Sequence, residues 1–522
     1  MQLIHNAIIY TVNPQKPLAN AMVFEGDTIV TVGDYNEIKK GIPSVNHIDL
    51  KGKTILPGFF DAHAHLWKIG DLLTFNLDLR GVTSIKEIQV KLKEFSKNNP
   101  DLKWIRARGF NDSIMEEGRL PTKEDIDCVI TDKPVFLQRT CAHIATLNSK
   151  AIEVCGINSN TKVPYGGMMD LDSLGIPNGI LRETALGLAL KHFPKITDAD
   201  YEKMILAACD AFIKVGVTSV SDPAVMPDLL AVYKKMDAAG KLPIRIHAFP
   251  IVIPDGDDTP LPIPEKYHSD KLVINTVKFF SDGGLSGQTA ALSKTYKNSK
   301  SKGILRLNKE VFFKAALEAQ RKGFQIATHA IGDVAIDLVL DIYEQLYKNN
   351  PNAPKHRIEH LGLPTKIQLK RIEKMGIHIV TQPIFIKELG KNFRETLTDE
   401  YLEVCYPFKS MFDHNINVAF STDGPVVKDI RPLSCIEAAI NRKDINGYTI
   451  TAKESVSLEQ AIYAYTMGSA IASSVAKQQG SLQKGKKTDF IVLADNLFKK
   501  EVSKIEDIVV EQVWVNGVQI YS

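Results

Sequence analysis

At 522 residues the chain is long enough for several domains or one large barrel with additions, and its 44% hydrophobic and 24% charged content is that of a globular protein with a sizeable core. Its 64 basic and 61 acidic residues leave a formal charge of +3, which argues against a nucleic-acid partner, and the lysines from Lys484 to Lys487 read as solvated loop. No apolar run approaches the ~18 residues that span a membrane, and six cysteines without a Cys-x-x-Cys pair argue against a disulfide framework or zinc ribbon and fit a reduced, cytoplasmic setting.

From Leu3 the chain enters a strand pattern with no basic start or cleavage site, so no signal peptide is expected. Short β-like runs follow at Ala7 to Val12, Ala21 to Glu25 and Thr28 to Val32, and the far end repeats the style at Asp489 to Ala494 and Val509 to Val515, with Asn516-Gly517 as a hairpin turn. Residues 1–53 and 476–522 are therefore expected to pair as one composite β-sandwich.

Between them, β-branched runs alternate with helical patterns such as Glu310 to Lys322, the rhythm of parallel βα units. The runs at Val217 to Asp222, Ile244 to Phe249, Val273 to Asp282, Phe324 to His329, Arg357 to His360, Ile377 to Gln382 and Val418 to Asp423, with the one that leads to His63, make eight. Eight such strands predict an α/β fold of the (β/α)8 TIM-barrel type over 54–475, with functional residues at the C-terminal strand ends. The gap of about 150 residues after the first strand exceeds a plain crossover and predicts an inserted subdomain at about 70–200.

Those strand ends carry the chemistry. Thr54-Ile-Leu-Pro-Gly-Phe-Phe-Asp-Ala-His63-Ala-His65 places two imidazoles on one face of an extended chain, because side chains two residues apart point the same way. Lys278 and Asp282 lie at the end of the fourth strand, His329 of the fifth, His360 of the sixth and Asp423 of the eighth. Imidazole and carboxylate donors suit a divalent metal such as zinc or manganese. Singly, His329 or His360 fits a core histidine and Asp423 a turn residue before Gly-Pro; their coincidence at strand ends favours one site.

The order His-x-His, Lys, His, His, Asp on strands one, four, five, six and eight resembles the amidohydrolase superfamily. More narrowly, Leu-Pro-Gly-Phe-Phe-Asp-Ala-His-Ala-His, Val-Lys-Phe-Phe-Ser-Asp-Gly-Gly, His-Ala-Ile-Gly-Asp, Arg-Ile-Glu-His and Ser-Thr-Asp-Gly-Pro look like the YtcJ-like branch, similar to N-substituted formamide deformylase. The resemblance covers nearly the whole chain. It implies a divalent metal, Zn2+ in the first instance, in one of two arrangements. Either His63, His65 and Asp423 hold one ion, His329 and His360 a second, and carboxylated Lys278 bridges them; or one ion takes His63, His65, His329 and Asp423, with His360 on the substrate. Asp423 is the general base for a water activated on the metal. His143, Asp282 and Gln382 are candidate substrate contacts; His143 equally fits a structural hydrogen bond, and Gln382 a strand stop before proline. Arg108 to Asp112 and Leu181 to Thr184 resemble family segments near the substrate site. The reaction implied is hydrolysis of an amide-type C–N bond in a small molecule, with N-formyl or N-acyl amines leading. Deamination of a cyclic amidine or nucleobase, and a silent binding protein, are the alternatives; oligomeric state stays open.

Overall fold

Two sheets of mainly parallel strands carry the strand ends of interest. The computed structural model describes every residue except 42–44, 141–143, 165–166 and 255–258. One sheet runs Tyr267–His268, Leu272–Ile274, Arg245–Pro250, Val217–Val225, Phe59–Asp61, with only its short first strand antiparallel. The other runs Thr276–Phe280, Gln325–Ala330, Arg357–His360, His378–Thr381, Val418–Phe420 and is wholly parallel. Helices connect successive strands of this sheet, as in Asp333–Asn349 and Lys366–Met375; the latter opens on a Thr365/Gln368 capping box and stops at Gly376 in the left-handed region. The strand expected from Val273 to Asp282 is broken at Asn275, whose carbonyl accepts from the Gln325 N–H, so its two pieces belong to different sheets. Backbone contacts link the two sheets in two places. Ile251 bridges Lys278 in parallel register, while the N–H groups of Ala62, Asp423 and His65 donate to the carbonyls of Phe420, His63 and Gly424.

Strands from both chain ends share one further sheet, and N-terminal strands alone form another. A six-stranded sheet interleaves Val518–Tyr521, Val510–Val515 and Phe490–Leu493 with Thr54–Pro57, Ile8–Tyr10 and Leu18–Ala19, and a four-stranded sheet takes Thr28–Gly33, Ala21–Glu25, Gln2–His5 and Asn46–Asp49. Ile4, Phe24, Ile55, Phe490 and Trp514 fill one core between them. The Asn516-Gly517 turn has positive φ at both residues, and a Cβ on Gly517 would stand 2.0 Å from the Gly26 carbonyl, so only glycine fits there.

Residues Trp67–Ala208 form a separate compact unit. Its sheet runs Gly167–Leu171, Pro177–Glu183, Ile144–Leu147, Val135–Arg139, Ile105–Phe110, Asn76–Asp78, and two apolar clusters, one around Leu92, Ile105 and Leu137 and one around Trp104, Phe136 and Leu181, hold it. Arg108 and Arg182 both lie on strands of this sheet. No helix among the described residues is long and apolar enough to cross a membrane.

An ionic cluster with a buried Arg245–Asp489 pair at its centre and the exposed Asp270 at its edge ties the terminal strands to the parallel sheets. Arg245, 2% exposed, donates through Nε and Nη2 to Asp489 at 2.7 and 3.2 Å and through Nη1 to Asp270 at 2.9 Å, and Lys487 reaches Asp270 at 2.6 Å. Burial pushes the Asp270 carboxyl up, but bonds from Lys487 and Asn516 and the Arg245 charge outweigh this and hold it well below its ordinary 3.8. A carboxyl whose pKa is lower folded than unfolded stabilises fully above the unfolded value and loses that contribution as pH falls through the folded one. Asp270→Asn is therefore expected to lower stability at neutral pH and to flatten its fall below about pH 4. Urea unfolding across pH 2–7 checks this, and an unchanged acid slope would remove Asp270 from the role.

Candidate metal centre

The first strand ends at Asp61, and the chain beyond it is fixed by hydrogen bonds to the eighth strand's end. Asp61, fully buried, accepts from the His63 N–H at 3.1 Å and from the Thr422 N–H and hydroxyl, the latter at 2.7 Å. Burial pushes its carboxyl up to about 7. This clasp sets His63 beside Asp423.

Both imidazoles of the first motif address one carboxylate oxygen. His63 Nε2 and His65 Nε2 each lie 3.5 Å from Asp423 Oδ1. Ligand atoms of His63, His360 and Asp423 all lie within 4.8 Å of one another, and the His360 ring is centred 5.1 Å from that of His63. His360 Nδ1 donates to Gln382 Oε1 at 2.7 Å, and the Gln382 amide donates in turn to Ser421 Oγ at 2.9 Å. The His63 imidazole is held down to about 4 by burial and by the Lys278 charge, and burial above all holds His360 well below its ordinary value. Both are neutral rings whose Nε2 lone pairs are donors.

Backbone strain gathers here. Asp423 has φ 55°, His360 φ 77° and Leu361 φ 49°. Left-handed φ at non-glycine residues costs about 1–3 kcal/mol each and concentrates at functional sites. At His360 it does identifiable work: in a regular strand neighbouring residues face opposite ways, yet Glu359 and His360 both approach His63 because the turn at His360 breaks the alternation.

Lys278 is fully buried, and its Nζ makes no hydrogen bond among the described residues. Burial lowers its amine to about 8, against the pull of Glu359 and Asp423. An amine that far from water without an acceptor is costly unless it is neutral or modified.

The remaining expected residues are placed as follows. His329 lies beside His360 but turns its Nε2 elsewhere: the rings are centred 4.5 Å apart, while His329 Nε2 is 3.1 Å from the Gly283 carbonyl and 3.3 Å from Asp282. Asp282 is fully buried and accepts from the N–H groups of Ala291, Ile331 and Gly332, which fixes the loop after the His329 strand. Gln382 has both ends of its amide committed to protein. His143 lies outside the described residues.

Three residues without an assigned role prove central to the arrangement: Glu359, Arg357 and Asp61. The signal was present, since Arg357 and Glu359 share one face of a short strand buried throughout, where charges survive only if paired.

The donor set passes a chemical test for a divalent cation. A separation of 3.5 Å is long for a hydrogen bond, which prefers roughly 2.7–3.2 Å. It matches the about 3.4 Å that separates two ligands on a tetrahedral ion with bonds of ~2.1 Å.

Parallel strands whose ends gather imidazoles and a carboxylate around one point define a metal-dependent hydrolase of carbon–nitrogen bonds. Residues 46–521 match the amidohydrolase family, and the chain belongs to it. It is 29% identical over 529 residues to YtcJ of Bacillus subtilis (strain 168), covering 99% of this chain and 98% of that one. It is 27% identical over 538 residues to the N-substituted formamide deformylase of Arthrobacter pascens, again with 99% and 98% covered. A crystal structure of an uncharacterized metal-dependent hydrolase from Pyrococcus horikoshii OT3 superposes with a TM-score of 0.80 at 29% identity, covering 96% of this chain and 99% of that one.

Proposed function

We propose that the protein hydrolyses an N-formyl or N-acyl amine, releasing a carboxylate and an amine. The observation that carries this is the placement of the His63 and His65 imidazoles 3.5 Å from the Asp423 carboxylate, in a chain similar along its whole length to a formamide deformylase.

The two parallel sheets are taken to close into one (β/α)8 barrel, which the Ile251 to Lys278 bridge and the hydrogen bonds from Ala62, His65 and Asp423 support at the two seams. Residues 1–53 and 476–522 then form the composite β-sandwich on a barrel of 54–475, with about 70–200 inserted. In this reading His63, His65 and Asp423 would hold a first zinc ion, and His329 and His360 a second. Lys278 would add a carboxylate ligand once CO2 has added to its amine with loss of a proton, which would also remove the cost of burying an ammonium that has no hydrogen-bond acceptor. A ratio of one metal per chain would instead leave His360 to the substrate. When bound, a divalent cation polarises a carbonyl oxygen and lowers the pKa of water towards ~7.

The chain's own residues do the rest. Asp423 takes the proton of the attacking water on its carboxylate and delivers it to the amine nitrogen as the C–N bond breaks. Gln382 and Ser421 keep the His360 ring oriented. Asp61 keeps the first and eighth strand ends together, so that base and imidazoles hold their spacing.

The test is a screen of formamides, N-acyl amino acids and cyclic amides on protein of measured metal content. Stoichiometric formate or carboxylate with free amine is the expected result. Ammonia as the nitrogen product would replace this reading with deamination, and no turnover by fully metallated protein would leave a binding protein.

A further inference from the structure

We propose that Glu359, clamped by Arg357, is a positioning residue that fixes His63 as a metal ligand; the inference rests on the metal-site reading above. Glu359 and Arg357 are both 0% exposed. Glu359 Oε2 accepts a short hydrogen bond from His63 Nδ1. Arg357 grips the same carboxylate through Nε to Oε1 at 2.5 Å and Nη2 to Oε2 at 2.8 Å.

The clamp also reaches the main chain that carries His63. Arg357 Nη2 donates to the Ala62 carbonyl at 2.8 Å, one residue before the ligand, and the guanidinium lies over the Phe249 ring at 4.9 Å. One cation thus fixes both the carboxylate behind His63 and the peptide that leads into it. The pair cancels its own charge, which lets two ionised groups stay in a dry interior.

The chemical consequence is a choice of tautomer. A carboxylate accepts only, so its partner Nδ1 must carry the hydrogen, and the lone pair falls on Nε2, the atom 3.5 Å from Asp423 Oδ1. A negative charge at Nδ1 also makes Nε2 a stronger donor. His360 is treated alike but more weakly, by the neutral Gln382 amide.

The experiment strips the full-length protein of metal and measures Zn2+ affinity by competition with a chromophoric chelator, together with melting temperature with and without zinc. Glu359→Gln keeps the shape and removes the charge; Glu359→Asp keeps the charge for Arg357 but falls one methylene short of His63. Each is expected to bind zinc about 10- to 100-fold more weakly than wild type and to show a smaller rise in melting temperature on adding zinc. Should Glu359→Gln fail to fold, Glu359→Asp carries the comparison. A folded variant that binds zinc within twofold of wild type overturns the proposal, even if its metal-free melting temperature drops, because that is the mark of a merely structural role. Wild-type protein that binds no zinc overturns the metal-site reading itself, and this inference with it.

Discussion

Asp423→Asn is expected to lower kcat by about 10²- to 10⁴-fold, the range that one positioned proton-transfer group supplies, while the protein keeps its fold and most of its metal. The substitution isolates the proton because it changes little else. Asp423 sits at φ 55°, and asparagine tolerates the left-handed region better than other non-glycine residues. The amide oxygen still faces His63 and His65, so the arrangement of donors at 3.5 Å persists. What disappears is an oxygen able to accept a proton from water and return it to the leaving nitrogen. Steady-state kinetics beside metal analysis checks the result; wild-type turnover in metal-loaded Asp423→Asn would remove Asp423 as the base.

His63→Ala is expected to have the larger effect, because it removes a ligand and strands its partner. Its loss in zinc affinity should exceed the roughly 10- to 100-fold that follows removal of an outer partner, with activity falling below detection at ordinary metal concentrations. The Glu359 carboxylate loses the imidazole it bonds, and a buried acceptor left unsatisfied costs about 1–3 kcal/mol. Arg357 still grips that carboxylate, so the protein should fold with a lowered melting temperature. Retention of zinc at wild-type affinity would contradict the assignment of His63.

The contrast between these residues shows how much of the site was legible in the sequence. His63 and His65 stood out as a His-x-His at the end of an apolar run, but the expected extended geometry does not hold: the strand stops at Asp61 and the chain bends at 62–63, so hydrogen bonds to the eighth strand's end, not strand alternation, set the two rings beside Asp423. The strands that carry Lys278, His329 and His360, and the one that ends just before Asp423, were readable from β-branched runs between helical patterns, and their boundaries moved by only a few residues. The break at Asn275 was not readable, since nothing in Val-Ile-Asn-Thr-Val marks where a strand passes from one sheet to another.

The partnership of Glu359 with His63 was hidden for a different reason. Strand alternation sends Glu359 and His360 to opposite faces, and only the left-handed φ at His360 brings both towards His63. Asp282 and Gln382 were legible as polar residues at strand ends. That they bond the loop after His329 and the ring of His360 depends on which backbone groups the fold leaves in need of a partner, and one-dimensional spacing does not encode that.

Metal binding by these residues is the property from which the rest follows. Its most direct test is anomalous diffraction at the zinc edge from crystals of wild-type protein grown with zinc. A peak within bonding distance of His63 Nε2, His65 Nε2 and Asp423 Oδ1 is the predicted result. A fully ordered site with no peak there, in protein that hydrolyses its substrate, would contradict it.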